Sequence, residues 1–169
     1  MSERVIGVDP SLRATGYAVL ERSGGSVRAV HYGTIVNPPA LAHPACLLAI
    51  HDRLLEACRE FQPTAMAIES TIYVQSYKTA IVLGAARGAA LLAAARIGLP
   101  LHEYAPRRVK QAVVGRGGAQ KTQVAFMVRA LLGLRDTPPP DAADALAIGL
   151  THFQKNPYSG LPSEAGWGG

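Results

Sequence analysis

Apolar positions in this chain fall first into short runs and later into helical spacing. Arg4-Val-Ile-Gly-Val-Asp9 is a β-branched run stopped by Pro10-Ser11, so it predicts a buried strand with Asp9 at its end. Gly16 to Glu21 and Val27 to Val36 predict two more strands, and Gly24-Gly25 between them predicts an antiparallel hairpin. The period then changes. Pro44 suits a first helical position, and Leu47, Ile50, Leu54, Cys58 and Phe61 follow at helical spacing until Gln62-Pro63. Ala65 to Glu69 is a fourth apolar run ending on a carboxylate, and Leu99 to Tyr104 predicts a fifth strand.

Between those last two strands lies an Ala-rich stretch from about Ser76 to Ile97. Its apolar part, Thr79 to Ala95, is shorter than the roughly 20 residues a membrane span needs and carries Arg87 in its middle, so it predicts a buried helix of the core and no membrane segment. Gly84 and Gly88 lie four apart on one face, which would let that helix approach the sheet or a second subunit closely. Pro106 to about Val114 predicts a short helix, Gly115 to Gly118 a loop, and Gln120 to Leu132 another helix. After Pro138-Pro139-Pro140, Asp141 opens a last helix to about Phe153. Alternation of strand and helix after the hairpin implies an α/β fold, a five-stranded mixed sheet with helices on its faces. Residues 1–155 make one domain; from Asn156 Pro, Ser and Gly dominate, and 156–169 read as a disordered tail.

Composition narrows the class without naming a chemistry. Of 169 residues 49% are hydrophobic, enough to form a core without disulfides and too many for a disordered chain. Cys46 and Cys58 fall on one predicted helix, roughly 18 Å apart at 1.5 Å per residue, so they cannot pair and read as buried thiols of a reducing compartment. The start, Met-Ser-Glu-Arg-Val, has no basic stretch followed by a long apolar run, which makes the cytoplasm the expected location. Charge adds more. The net charge is +5, and between Ala105 and Arg135 seven basic residues (Arg107, Arg108, Lys110, Arg116, Lys121, Arg129, Arg135) meet no acid, a distribution that attracts a polyanion.

Candidate chemistry rests on four acids. Asp9 and Glu69 each directly follow an apolar strand, and two such strands side by side would project both carboxylates from one sheet edge. Asp141 and Asp144 lie three apart at a helix start, on one face. Capping and the helix dipole account for Asp141. They account less well for Asp144, whose neighbours Ala142-Ala143 and Ala145-Leu-Ala-Ile148 suggest a helix buried on most sides, where a carboxylate needs a cation. All-oxygen donors suit Mg²⁺, with Mn²⁺ a possible substitute, and four carboxylates can hold two such ions for phosphodiester hydrolysis. No serine or cysteine triad is apparent among the five histidines.

These segments resemble the RuvC-type Holliday junction resolvases from about Val5 to His152. The similarity runs through Ile6-Gly-Val-Asp-Pro-Ser11 with Thr15-Gly-Tyr17, Ala67-Ile-Glu69, Leu83-Gly-Ala-Ala-Arg-Gly88, Tyr104-Ala-Pro-Arg-Arg-Val-Lys-Gln111, Val114-Gly115 with Lys121, and Asp141-Ala-Ala-Asp-Ala-Leu-Ala-Ile148. The resemblance implies a ribonuclease-H-like fold, a homodimer, Mg²⁺-dependent paired nicking of four-way junction DNA, and RuvA and RuvB as partners. It also implies Asp9, Glu69, Asp141 and Asp144 as catalytic metal ligands and Lys110 and Lys121 as basic groups for catalysis or DNA binding; Arg107, Arg108 and Arg116 of the basic stretch are expected as further DNA contacts. The chain departs from the family after Glu69. Ile72-Tyr73 and Gln75-Ser76 stand where members often carry a phenylalanine and an asparagine, so Tyr73 or Tyr77 would take the stacking contact with a base.

Three rival readings are weaker. Gly115-Arg-Gly-Gly-Ala-Gln-Lys121-Thr122 nearly spells a phosphate-binding loop, but Gln120 replaces the glycine before the lysine and a helix precedes it. The sugar kinase and actin superfamily opens with a similar strand and hairpin but needs a second such domain. A non-cleaving junction-binding protein would gain nothing from four acids facing DNA.

Overall fold

The computed structural model describes residues 2–70 and 74–155. Five strands, β1 (Glu3–Asp9), β2 (Ala14–Ser23), β3 (Ser26–Val36), β4 (Ala65–Glu69) and β5 (Leu101–Tyr104), form one sheet in the order β3-β2-β1-β4-β5. β2 runs antiparallel to both β1 and β3, whereas β4 runs parallel to β1 and β5 to β4, so the sheet is mixed as expected. Gly24 and Gly25 close the hairpin at φ 57° and 86°, a left-handed pair that side chains resist. The five helices are α1 (His43–Phe61), α2 (Tyr77–Arg96), α3 (Pro106–Val114), α4 (Lys121–Leu132) and α5 (Pro140–Lys155).

Side chains alternate across the strands and divide the core in two. Ile6, Val8, Tyr17, Val19, Met66 and Ile68 pack with α1 and α2 on one face. Val5, Ala18, Leu20, Ala65 and Ala67 face α5 and the α3–α4 pair on the other. That second face is floored with small residues, and α5 sinks onto it. A methyl group on Gly7 would overlap the Ala145 carbonyl oxygen, one on Gly16 the Asp141 carbonyl oxygen, and one on Gly149 the Leu20 side chain. Gly16 is the register partner of Asp9, so the glycine that admits the start of α5 lies beside the end of β1.

Three sequence expectations are corrected. The fifth strand begins at Leu101, because Gly98 turns left-handed (φ 65°) and the Leu99 N–H is spent on the Ala94 carbonyl, closing α2. α2 spans 20 residues, long and apolar enough for a membrane span by length and composition, but it is not the buried helix expected: only Ala86, Ala89, Ala90, Ala93 and Ala94 are buried. Gly84 and Gly88 do not approach the sheet, since space around both is open. Cys46 and Cys58 are buried free thiols on α1, as expected. Residues 156–169 lie outside the described residues.

If the glycine floor sets the height of α5, Gly7→Ala overpacks it. Urea unfolding of that variant should show a loss of about 3 kcal/mol, near the upper end for an inserted methyl group.

Candidate active site

Four acids and two lysines meet where β1, β4 and α5 end or begin. Asp9 closes β1 and Glu69 closes β4, and the two strands pair in parallel through Val8↔Ile68, so both carboxylates leave the same edge. The turn after Asp9 is braced by Thr15, fully buried, whose hydroxyl donates to the Ser11 carbonyl (2.6 Å) and accepts from the Ser11 N–H (3.1 Å). α5 brings Asp141 and Asp144 in its first turns; residues 142, 143 and 145–153 are all buried, which bears out the expectation that Asp144 sits on a helix enclosed on most sides.

Asp9 and Asp144 face each other closely enough for each to shift the other's carboxyl. Desolvation by burial, followed by repulsion from Asp144 and Glu69, pushes the Asp9 carboxyl up to about 8. Burial likewise raises Glu69 and Asp144. Lys110 and Lys121 oppose that rise at Glu69, and Lys121 opposes it at Asp144, where its Nζ stands 3.6 Å from Oδ2. Among the described residues no three acids, histidines or cysteines converge closely enough to clasp an ion as they stand. The electrostatics nonetheless fit one. Carboxyls crowded into a poorly solvated edge are a donor set for a hard cation.

The basic residues border this edge. Lys110 is half-buried on α3 and Lys121 opens α4, 78% exposed at its side chain. Arg107 and Arg108 are exposed on α3; the Arg107 side chain lies along Gly117, and Arg116 is exposed in the loop between. Tyr77 is 92% exposed at the first position of α2. Tyr73 lies outside the described residues. Sequence reasoning gave Arg87 no role in the site, noting it as a charge against a membrane span and within a family-like segment, yet its guanidinium reaches the Glu69 carbonyl oxygen at 2.8 Å. A charge in the middle of an alanine-rich helix was the signal available.

A mixed sheet in this strand order, with helices on both faces, is a ribonuclease-H-like fold, and its acid-lined edge is the candidate site. The family described as crossover junction endodeoxyribonuclease RuvC matches residues 5–152, and the chain belongs to the RuvC family. A RuvC from Akkermansia muciniphila is 55% identical over 150 residues, covering 89% of this chain and 90% of that protein. One from Syntrophomonas wolfei is 45% identical over 151 residues, covering 89% and 88%. The structure of Thermus thermophilus RuvC in complex with a Holliday junction substrate is similar at a TM-score of 0.83 and 39% identity, covering 89% of this chain and 92% of that one.

The raised acids fix a sign for pH. A carboxyl whose folded value lies above its unfolded one stabilises at low pH and loses that contribution as pH rises through the folded value. His152, pushed down to about 4 by burial, acts below about 6.5, and Cys58, pushed up to about 11, acts at and above about 9. Between pH 7 and 8.5 Asp9 therefore dominates. Without divalent ions the Tm should fall across that window by a few degrees, and Asp9→Asn should flatten the fall; calorimetry at several pH values checks both.

Proposed function

We propose that this chain resolves Holliday junctions by nicking two strands symmetrically, with Asp9, Glu69, Asp141 and Asp144 as the metal-binding acids. The observation that carries the reading is that Asp9 and Glu69 end adjacent parallel strands beside the start of α5 with its Asp141 and Asp144, in a chain matched almost throughout by the resolvase family. RuvC nucleases are metal-dependent. Here the four acids are proposed to hold two Mg²⁺ ions, for which Mn²⁺ could substitute. When bound, such ions supply an activated water and stabilise the departing 3′ oxygen. Asp9, Glu69, Asp141 and Asp144, as carboxylates, would hold the cations at the sheet edge. Lys110 and Lys121 offset the charge of the scissile phosphate. Arg107, Arg108 and Arg116 hold the flanking phosphates, and Tyr77 or Tyr73 stacks on a base where the crossover opens.

The protein acts as a homodimer in this reading, because a twofold assembly offers two sites to a roughly twofold junction. α2 supports that: Tyr77, Ile81 (70% exposed), Gly84, Gly88 and Leu92 (57% exposed) recur at helical spacing along its open face, with room beside both glycines for a second backbone. Residues 1–155 form the nuclease domain, which works in the cytoplasm on recombination and repair intermediates. RuvA and RuvB are the proposed partners, from the family resemblance.

Two experiments test this. With Mg²⁺ the protein should cut a synthetic four-way junction, whereas Asp9→Asn and Glu69→Gln should bind the junction as tightly but cut it about a thousandfold more slowly; normal cleavage by either removes that acid from the site. Ile81→Glu should sediment as a folded monomer, and a dimer of undiminished strength would place the subunit contact elsewhere.

A further inference from the structure

The parallel ladder between β1 and β4 ends one bond early, and the reason is covalent. Its last pair is Val8↔Ile68; continuing the same register, the next bond would run from the N–H of residue 10 to the carbonyl oxygen of Glu69. Residue 10 is proline and has no N–H. The Glu69 carbonyl is instead met by Arg87 Nη1 at 2.8 Å, from the middle of α2. The other arm of the same guanidinium pairs with Glu103 on β5, the register partner of Ile68. The Arg87 side chain is 16% exposed and so fixed between the two strands, whereas Glu103 is 48% exposed. An ion pair that open contributes little by itself. The contact with consequence is the one to Glu69, because it sets the backbone from which that carboxylate projects.

We infer that Arg87 is a positioning residue: it replaces the ladder donor that Pro10 lacks and thereby holds Glu69 at the height of Asp9 and Asp144. Arg87 touches neither the acids' carboxylates nor any group placed at the scissile phosphate. Its effect runs through the backbone of Glu69, as hydrogen bonds behind metal ligands commonly do. This rests on the reading of Glu69 as a metal ligand. The helix that carries Arg87 also carries the open apolar face, so one element would serve the subunit contact on one side and the acid edge on the other.

The test measures Mn²⁺ affinity by calorimetry in the absence of DNA, and in parallel the Mg²⁺ concentration for half-maximal junction cleavage. Arg87→Gln should weaken both by about tenfold, the lower end for loss of a group supporting a metal ligand, with junction affinity unchanged. Glu103→Gln, which keeps Arg87 on the Glu69 carbonyl, should move them less than threefold. Adding Pro10→Ala to Arg87→Gln returns an N–H at the ladder position and should bring both within threefold of the parent, a rescue that loss of charge or of packing would not allow. Arg87→Gln within twofold of the parent, or a tenfold loss that Pro10→Ala leaves unrepaired, overturns the inference. If Arg87→Gln does not fold, Arg87→Lys, with and without Pro10→Ala, is read by the same limits. Glu69→Gln separates the two levels: active Glu69→Gln defeats the site reading itself, while inactive Glu69→Gln with normal Arg87→Gln defeats only the positioning role.

Discussion

The close approach of α5 to the sheet is the constraint on which the site depends. Gly7, Gly16 and Gly149 remove the side chains that would hold the helix away, and Ala18 and Ala67 keep the floor shallow. Any larger residue at Gly16 would meet the backbone of Asp141, and Gly16 is also the neighbour of Asp9 across the ladder. The same close packing that buries α5 therefore presses its first-turn acids against the end of β1. The cost is electrostatic, since carboxyls crowded out of water repel one another and hold a proton they would otherwise lose.

A second buried acid shows what an ordinary solution looks like. Glu21 on β2 is 6% exposed, yet Arg4 Nε lies 2.8 Å from one oxygen and Arg28 Nη2 2.6 Å from the other. Those two guanidiniums hold its carboxyl below the usual range. Asp9 has no arginine or lysine paired with it among the described residues; its contact is another carboxyl. Lys121 compensates Asp144 only at 3.6 Å and from solvent, and Lys110 acts on Glu69 alone. One buried acid compensated fully and another left short of positive charge is the contrast expected if the second is kept for a cation, as proposed above.

Much of this was legible in the residues because it is local. Short apolar runs ending on Asp9 and Glu69 announce strand ends, and the two strands after the first, joined by a glycine hairpin, announce the antiparallel half of the sheet. Asp141 and Asp144 follow a proline break that marks a helix start. What the sequence hid depends on distant partners or on monotony. The open face of α2 was hidden because alanine and glycine recur on every side, leaving no contrast between inside and outside. The start of β5 was hidden because Leu99, apolar and buried like a strand residue, spends its N–H on the preceding helix. The role of Arg87 was hidden because its cause, the missing N–H of Pro10, lies 77 positions away in the chain.

Burial and its acidic neighbours push the Asp9 carboxyl up, and a divalent cation at the sheet edge would displace its proton. Carbon-13 NMR of the aspartate carboxyls, titrated with and without Mg²⁺, measures it directly. Without the ion the Asp9 signal should titrate near pH 8, and with the ion it should move into the ordinary carboxylate range or below. An Asp9 carboxyl that titrates as an ordinary aspartate without Mg²⁺, and does not shift when Mg²⁺ is added, would contradict the account.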